Sequence, residues 1–177
     1  MTFVIDPSET ELISGCINQE RVMQKKLYDK YKQAMYTTAY RILNDHHHAH
    51  DALQEGFIQV FRDIKNFKQK SSLGAWIKTI VVRAALLKLK KEQVFESFEE
   101  DYENHVIEWS DSLTAEYLEK AIQSLPPGYR SIFLLIEVEG YTHKETAGIL
   151  NIAEGTSKSQ LHFAKKMLQK KLKELMN

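Results

Sequence analysis

An all-α protein of two small helical domains is the fold that this sequence predicts, on three observations. The 177 residues include only 7 glycines and 3 prolines, and runs rich in Ala, Leu, Lys, Glu and Gln favour helix. Apolar residues recur at helical spacing in segment after segment. Residues 1–91 hold 15 basic and 9 acidic residues, residues 92–113 hold none and 8, and residues 114–177 hold 9 and 7. We therefore predict two basic domains, 1–91 and 114–177, joined by an acidic linker, 92–113.

Composition also limits the compartment and the chemistry. The one cysteine, Cys16, excludes an intramolecular disulfide and a thiolate-cluster zinc site, which fits a reducing compartment. No apolar run approaches the ~20 residues of a membrane span, and the start of the chain lacks a charged-then-apolar signal pattern. We expect a cytoplasmic protein with no membrane insertion. The sequence has no phosphate-cradling glycine loop, reactive Cys–His pair or serine-centred elbow, so it predicts neither an enzyme nor a bound cofactor.

Three helices are predicted in the first domain, over residues 22–43, 49–64 and 73–91. The first ends at Asn44, and either Ser71 or Ser72 is placed to cap the third. In each helix, apolar residues three, four, seven or eight positions apart mark the side that faces the core. These inward positions are Leu27, Ala34, Met35 and Ile42; then Leu53, Phe57, Val60, Phe61 and Ile64; and then Trp76, Ile77, Ile80 and Ala84.

The second domain begins with a helix from about residue 114. It stops at Leu125, because Pro126 and Pro127 remove backbone donors and fix the backbone. The next segment, 130–138, is strongly apolar and is expected to form a buried support for the rest of the domain. Its predicted core residues are Ile132, Phe133, Leu135 and Ile136.

A helix-turn-helix is predicted over the sequence EGYTHKETAGILNIAEGT, residues 139–156. Asn151 ends the first helix, since asparagine tolerates the left-handed conformation that follows a helix end. From Thr156 a second helix runs on, with six lysines against one glutamate. Its inward stripe is Leu161, Ala164, Leu168 and Leu172, and the first helix is expected to bury Ala147, Ile149 and Leu150.

The second helix of this motif has the properties of a major-groove recognition helix. Polar and basic side chains lie opposite or beside its apolar stripe, which concentrates positive charge on one surface. The alternative is an ordinary amphipathic helix with a solvated lysine face, but the turn, the small Ala147 and the basic second helix occur together. The candidate DNA-binding residues are Thr156, Lys158, Ser159, Gln160, His162, Phe163, Lys165, Lys166 and Lys170.

A cluster of histidines raises the alternative of a metal-dependent enzyme. His46, His47, His48 and His50 precede Asp51, a pairing found in helical metal-dependent phosphohydrolases. Such sites need further His and Asp ligands on other helices, and no histidine precedes His46. We expect a polar helix-entry loop and no metal.

Several ordered motifs resemble the extracytoplasmic-function (ECF) group of bacterial sigma factors, the two-domain initiation subunits of RNA polymerase. The resemblance spans roughly residues 28–172. The first domain contributes a core-binding helix motif and the entry to a promoter-melting helix, and the second contributes three further segments. The matching segments read DALQEGF at 51–57, SSLGAWI at 71–77, LPPGYR at 125–130, EGYT at 139–142 and GTSKSQLH at 155–162.

This resemblance implies a non-enzymatic transcription initiation factor that is a monomer when free. Its partners would be core RNA polymerase, through the clamp helices of the largest subunit and the flap, promoter DNA and an anti-sigma factor. The implied polymerase-binding residues are Asp51, Gln54, Glu55 and Ile58. The residues implied for the downstream promoter element and strand opening are Lys65, Lys68, Lys70, Ser71, Ser72, Lys78, Arg83, Lys88, Lys90 and Lys91.

Some positions depart from the family pattern. Arg83 and Leu87 stand where many members have Asn and Asp in the melting helix, Ser157 stands where Val is common, and Gln160 and Phe163 stand where Arg is common. These departures bear on which promoter is recognised. The linker is open to three readings: a spacer, a phosphate-like segment in a basic channel of the polymerase, or a shield over the DNA-binding faces. The rival function is a stand-alone helix-turn-helix regulator with a helical sensor domain.

Overall fold

The computed structural model describes residues 7–92 and 115–176, and these contain helices and turns but no strand. The chain divides into two compact units, Met1–Lys91 and Glu92–Asn177. The all-α class and the two helical domains predicted from the sequence are confirmed. The acidic linker lies outside the described residues, apart from its first residue, so the three readings of it stay predictions.

Between residues 7 and 92 the structure describes four helices and a short 3₁₀ turn. The turn, Ile64–Asn66, directly follows the third helix. The helices are α1 (Pro7–Ile17), α2 (Arg21–Leu43), α3 (His46–Asp63) and α4 (Leu73–Glu92). Three of them match the predicted helices within a few residues, whereas α1 is an addition that the sequence interpretation missed.

Helix α1 packs against α2 with Ile13 and Cys16 buried. A Cβ atom at Gly15 would overlap the side chain of Met23, so glycine permits the close approach of the two helices. Burial also raises the pKa of the Cys16 thiol to about 11. The thiol is therefore protonated and shielded at neutral pH. The helix is short and carries Ser and Gly, which weakens its periodic signal.

Most of the inward positions predicted for the first unit are buried, but some are not. Ala34 is exposed, because it falls at the edge of a stripe in which Thr38 and Ala39 are buried instead. In α4 the fully buried residues include Val81 and Val82, whereas Trp76, Ile80 and Ala84 are half-buried. At Gly56 a Cβ atom would lie 2.8 Å from Val81 Cγ2, so α3 and α4 approach closely at this glycine.

The second unit contains α5 (Ala115–Ser124), α6 (Pro127–Phe133), α7 (His143–Leu150) and α8 (Glu154–Met176). Helix α6 continues into a π-helical turn, Leu134–Val138, that buries Leu134 and Leu135. Arg130, the last residue of the LPPGYR segment, has a structural role. It is 5% exposed, and its Nη1 donates to the carbonyls of Gln123 and Leu125, both at 3.1 Å. It thereby satisfies carbonyls that the proline turn leaves without helical donors.

Candidate functional site

The corner between α7 and α8 is fixed by local hydrogen bonds. Thr142 caps α7 by accepting from the Glu145 backbone at 3.2 Å, and its own N–H donates to Glu145 Oε2 at 2.8 Å. This reciprocal capping box satisfies two donors at the helix start. Asn151 ends α7 in the left-handed conformation, φ 56°, as predicted. The entry and exit of the first helix in the motif are therefore both specified locally.

One polar contact joins the two helices of the motif. Ser157 is fully buried, and its Oγ lies 3.0 Å from His143 Nδ1. Ser157 is the position at which the family commonly has Val. The hydroxyl makes an inter-helix hydrogen bond that valine cannot make, so this departure is accommodated inside the motif rather than on its outward side.

The side of α8 that faces away from the core carries the predicted reading residues. Leu161, Ala164, Leu168 and Leu172 are buried as expected. On the other side Ser159, His162 and Lys170 are exposed, and Thr156, Phe163 and Lys166 are half-buried. Gln160, also half-buried, lies closer to the packing side, four residues before Ala164. The His162 and Phe163 rings meet edge to face, with centroids 5.8 Å apart. This surface joins hydrogen-bonding, aromatic and cationic groups, which is the composition that base edges and phosphates require.

Two of the predicted cations at the edge of α8 are held by carboxylates. Lys158 Nζ lies 2.7 Å from Glu154, and Lys165 Nζ lies 2.8 Å from Glu137 in the π-helical turn. A lysine in such a pair must leave its partner, or share its charge, before it binds a phosphate. Lys158 and Lys165 are therefore weaker candidates for phosphate contacts than Lys170.

In the first unit, α3 presents an exposed face that contains most of the predicted polymerase-binding residues. Gln54 and Glu55 are exposed, and Ile58 is 51% exposed despite being a large aliphatic residue. Asp51 differs, because Lys88 of α4 donates to its carboxylate at 2.7 Å. This hydrogen bond lowers the pKa of Asp51. Asp51 therefore ties α3 to α4, in addition to any external role.

The cations predicted on α4 do not share one face. Arg83 and Lys90 are exposed, whereas Lys78 is half-buried and the Lys88 side chain is only 16% exposed. Lys78 and Arg83 are five residues apart, which is about 140° around a helix. These cations therefore do not form one continuous basic surface, and Lys88 bonds across to α3. Their predicted role in DNA binding stays a prediction. The side chain of Lys91 lies outside the described residues.

Three lysines between α3 and α4 are exposed: Lys65 in the 3₁₀ turn, and Lys68 and Lys70 in the loop that follows it. Of the two candidate caps, Ser72 is the one that caps α4, by accepting from the Ala75 backbone at 3.2 Å, while Ser71 Oγ donates to the Ser72 carbonyl at 3.3 Å. Trp76 is half-buried against Phe67, with ring centroids 5.2 Å apart.

Leu87 is a residue that the site prediction left out. It is 63% exposed, four positions beyond Arg83 on the outward side of α4. The sequence marks Leu87 in two ways: it is an apolar residue outside the predicted core stripe, and it stands where many members of the resembled family have Asp.

The histidine cluster lies at the corner between α2 and α3. Tyr36 Oη is 2.6 Å from His46 Nδ1, and the Tyr40 and His46 rings stack with centroids 4.4 Å apart. Within residues 7–92 and 115–176, no group of three or more His, Cys, Asp and Glu side chains is arranged to hold a metal ion. In the same part of the chain, no helix combines the length and the apolar character of a membrane span.

Comparison with protein families finds two matches in the same order along the chain. Sigma-70 region 2 matches residues 27–94, and sigma-70 region 4 matches residues 115–168. The matched ranges include most of α2, all of α3 and α4 in the first unit, and α5 to most of α8 in the second. Helix α1 precedes both.

Comparison with individual proteins finds the ECF RNA polymerase sigma factor SigE of Mycolicibacterium smegmatis, 29% identical over 153 residues, which are 81% of this chain and 59% of that protein. The chain thus spans little more than half of that relative. SigM of Mycobacterium tuberculosis, also named an ECF RNA polymerase sigma factor, is 25% identical over 93% of this chain and 85% of its own length. Among solved structures, the chain is similar to the sigma factor RpoE of Bartonella quintana, which was solved in complex with the anti-sigma factor NepR. The TM-score is 0.58 and the identity 25%, and the match covers 84% of this chain and 96% of that one.

Proposed function

We propose, on the premise that the chain belongs to the ECF group of bacterial sigma factors, that it directs core RNA polymerase to specific promoters and helps to open the DNA strands. The observation that carries the proposal is α8. Its buried stripe fixes which side faces out, and that side holds the polar, aromatic and basic groups described above. A helix of this kind reads base edges from the major groove.

In this proposal the second unit binds the upstream, minus-thirty-five promoter element. Ser159, His162 and Phe163 lie in the N-terminal half of α8 and would face the bases, while Lys170, three turns further on, would face phosphate. Phosphate contacts position the protein and add affinity that falls with salt, whereas contacts to base edges distinguish sequences. The two sets of residues therefore have separable roles.

The first unit would hold the downstream, minus-ten element and a base extruded from the non-template strand. Extruding a base costs a few kcal/mol, which a fitted pocket and phosphate contacts must offset. The positive surface would come from the exposed lysines between α3 and α4, Lys65, Lys68 and Lys70, together with Arg83 and Lys90 on the outward side of α4. Lys88 is assigned a supporting role, because its ammonium group is bound to Asp51.

Docking on core polymerase is assigned to the exposed side of α3, centred on Gln54, Glu55 and Ile58. The chain would itself perform no catalysis, since RNA synthesis belongs to the polymerase. An anti-sigma partner is proposed because the related RpoE structure is a complex with one. The cytoplasm, where such a polymerase works, remains the predicted compartment.

Gel filtration of the full chain, alone and with core polymerase, tests this function against that of a stand-alone regulator. We expect a monomer alone and co-elution with core. The double variant Gln54→Ala, Glu55→Arg should lose co-elution while keeping its fold, because surface changes away from packing usually alter stability by only about ±0.5 kcal/mol. A dimer that binds a palindromic DNA and never co-elutes with core would instead establish the regulator.

A further inference from the structure

A cleft of about 530 Å³ opens on the first unit where the end of α1 and the start of α2 meet the end of α3 and the 3₁₀ turn. Its apolar lining includes Ile17, Ile58 and Phe61. Ile17 is 47% exposed and Ile58 is 51% exposed. Two large aliphatic side chains thus lie uncovered on one concave surface of this unit.

Basic residues share the lining with these apolar groups. Arg21, Arg62 and Lys65 come from three different elements, namely α2, α3 and the 3₁₀ turn. Within the described residues none of these three cations forms an ion pair. A ligand that matches this lining offers both apolar side chains and carboxylates, which is the chemistry of an acidic, partly apolar polypeptide surface.

The cleft is continuous with the proposed docking face on α3. Gln54, Ile58 and Arg62 follow one another at intervals of four residues, so they lie along one side of the helix. Ile58 belongs to both surfaces. A protein seated on Gln54 and Glu55 and extending toward the end of α3 reaches the cleft without changing direction.

We propose that the core-polymerase contact extends into this cleft, so that α1 and the start of α2 form part of the docking surface. The inference rests on the proposed function. The occupant is the polymerase surface that α3 engages, inserting an apolar side chain between Ile17 and Ile58 with carboxylates opposite Arg62 and Lys65. Ile17 and Arg21 precede residue 27, where the matched sigma-70 region 2 begins. These residues thus enlarge the docking surface beyond that match.

The test is a titration of full-length protein against core polymerase, with affinity as the measured quantity. The cleft variants are Ile17→Ser and Arg62→Glu, and the control is Val22→Ser, because Val22 is 65% exposed close by but does not line the cleft. We expect each cleft variant to weaken binding about tenfold, as central interface anchors do, and the control to stay within about twofold. Unchanged thermal unfolding of all three variants will confirm that the fold is intact.

The double variant Gln54→Ala, Glu55→Arg, included in the same titration, separates failure of the cleft from failure of the function. If it loses affinity while Ile17→Ser and Arg62→Glu bind like the parent, the cleft proposal is overturned and the sigma-factor function stands. If the parent itself does not bind core, the proposed function fails. If the cleft variants bind core more tightly than the parent, an acidic segment of the chain itself occupies the cleft in the free protein, and the proposal is overturned.

Discussion

Helices α4 and α8 are both basic and both assigned to nucleic acid, but their sequences bury them differently. In α8 the buried side chains form one narrow stripe, so the opposite side is defined. In α4 burial extends around much of the helix, and an apolar residue, Leu87, remains on the outward side. The buried residues of α4 are Leu73, Ile77, Val81, Val82, Ala85, Leu86 and Leu89.

This difference bears on which lysines we propose to contact DNA. On α8 the charges of Lys166 and Lys170 lie away from the packed stripe. On α4 a lysine can fall inside the packed region, as Lys88 does, and then its ammonium group serves the fold by pairing with Asp51. A basic helix is therefore a nucleic-acid surface only on the side that the core leaves free.

The largest effect is expected on α8. Ser159→Ala and His162→Ala should each change the preferred upstream sequence, because a good base contact contributes about 1–3 kcal/mol of discrimination. Lys171→Ala is the control, since Lys171 is engaged with Glu174 at 2.9 Å near the end of the helix. Binding of full-length holoenzyme to a panel of upstream elements measures the change. Equal preferences in the parent and both variants would remove these residues from base reading.

A smaller effect is expected for two lysines of α8, which should differ in how much they contribute to the salt dependence of DNA binding. Lys170→Ala should weaken binding to all sequences alike and reduce the slope of affinity against salt by about one. Lys165→Ala should reduce the slope less, because Glu137 already neutralises Lys165. Titrations at several salt concentrations provide both slopes. A loss at Lys165 equal to that at Lys170 would mean that the Glu137 pair opens on DNA.

On α4 we predict that two cations have different roles: one contributes to DNA binding and the other to the stability of the fold. Arg83→Ala should weaken binding of holoenzyme to promoter DNA with little change in thermal unfolding, since Arg83 is exposed. Lys88→Met should lower the unfolding temperature, since it leaves the Asp51 carboxylate without its donor. If Lys88→Met leaves unfolding unchanged and impairs strand opening as strongly as Arg83→Ala, the division of this helix into packed and outward cations is wrong.

The smallest effect is a pH dependence. The hydrogen bond from Lys88 lowers the pKa of Asp51 in the folded protein, so its stabilisation is present above the pKa of an unfolded aspartate, about 3.9, and is lost as pH falls through the lower folded value. Between about pH 6 and pH 3 the parent should lose more stability than Lys88→Met, in which the pair is already absent. Parallel loss in the two proteins would show that the pair contributes little.

The sequence predicted most helices and the buried side of α8 because their signals are local. Asn151 after α7, Pro126 and Pro127 after α5, and the stripe from Leu161 to Leu172 each depend on neighbouring residues alone. Helix α1 was missed because its burial depends on contact with α2, and the Asp51–Lys88 and Glu137–Lys165 pairs could not be predicted because their partners are distant in sequence. In α4 the helix was predicted, but its inward side was not: of the four predicted inward positions only Ile77 is buried, because the wide buried surface of this helix could not be deduced from spacing.

The measurement that tests the account most directly is transcription by reconstituted holoenzyme from templates with a randomised upstream element, with the parent and with Phe163→Arg. Phe163 is half-buried beside His162 on the outward side of α8, where an aromatic ring can meet a thymine methyl group. We predict discrete start sites that share an upstream sequence, and a preference that changes at one or two positions in Phe163→Arg. Start sites with no shared upstream sequence, or transcription by core that does not depend on this chain, would contradict the account.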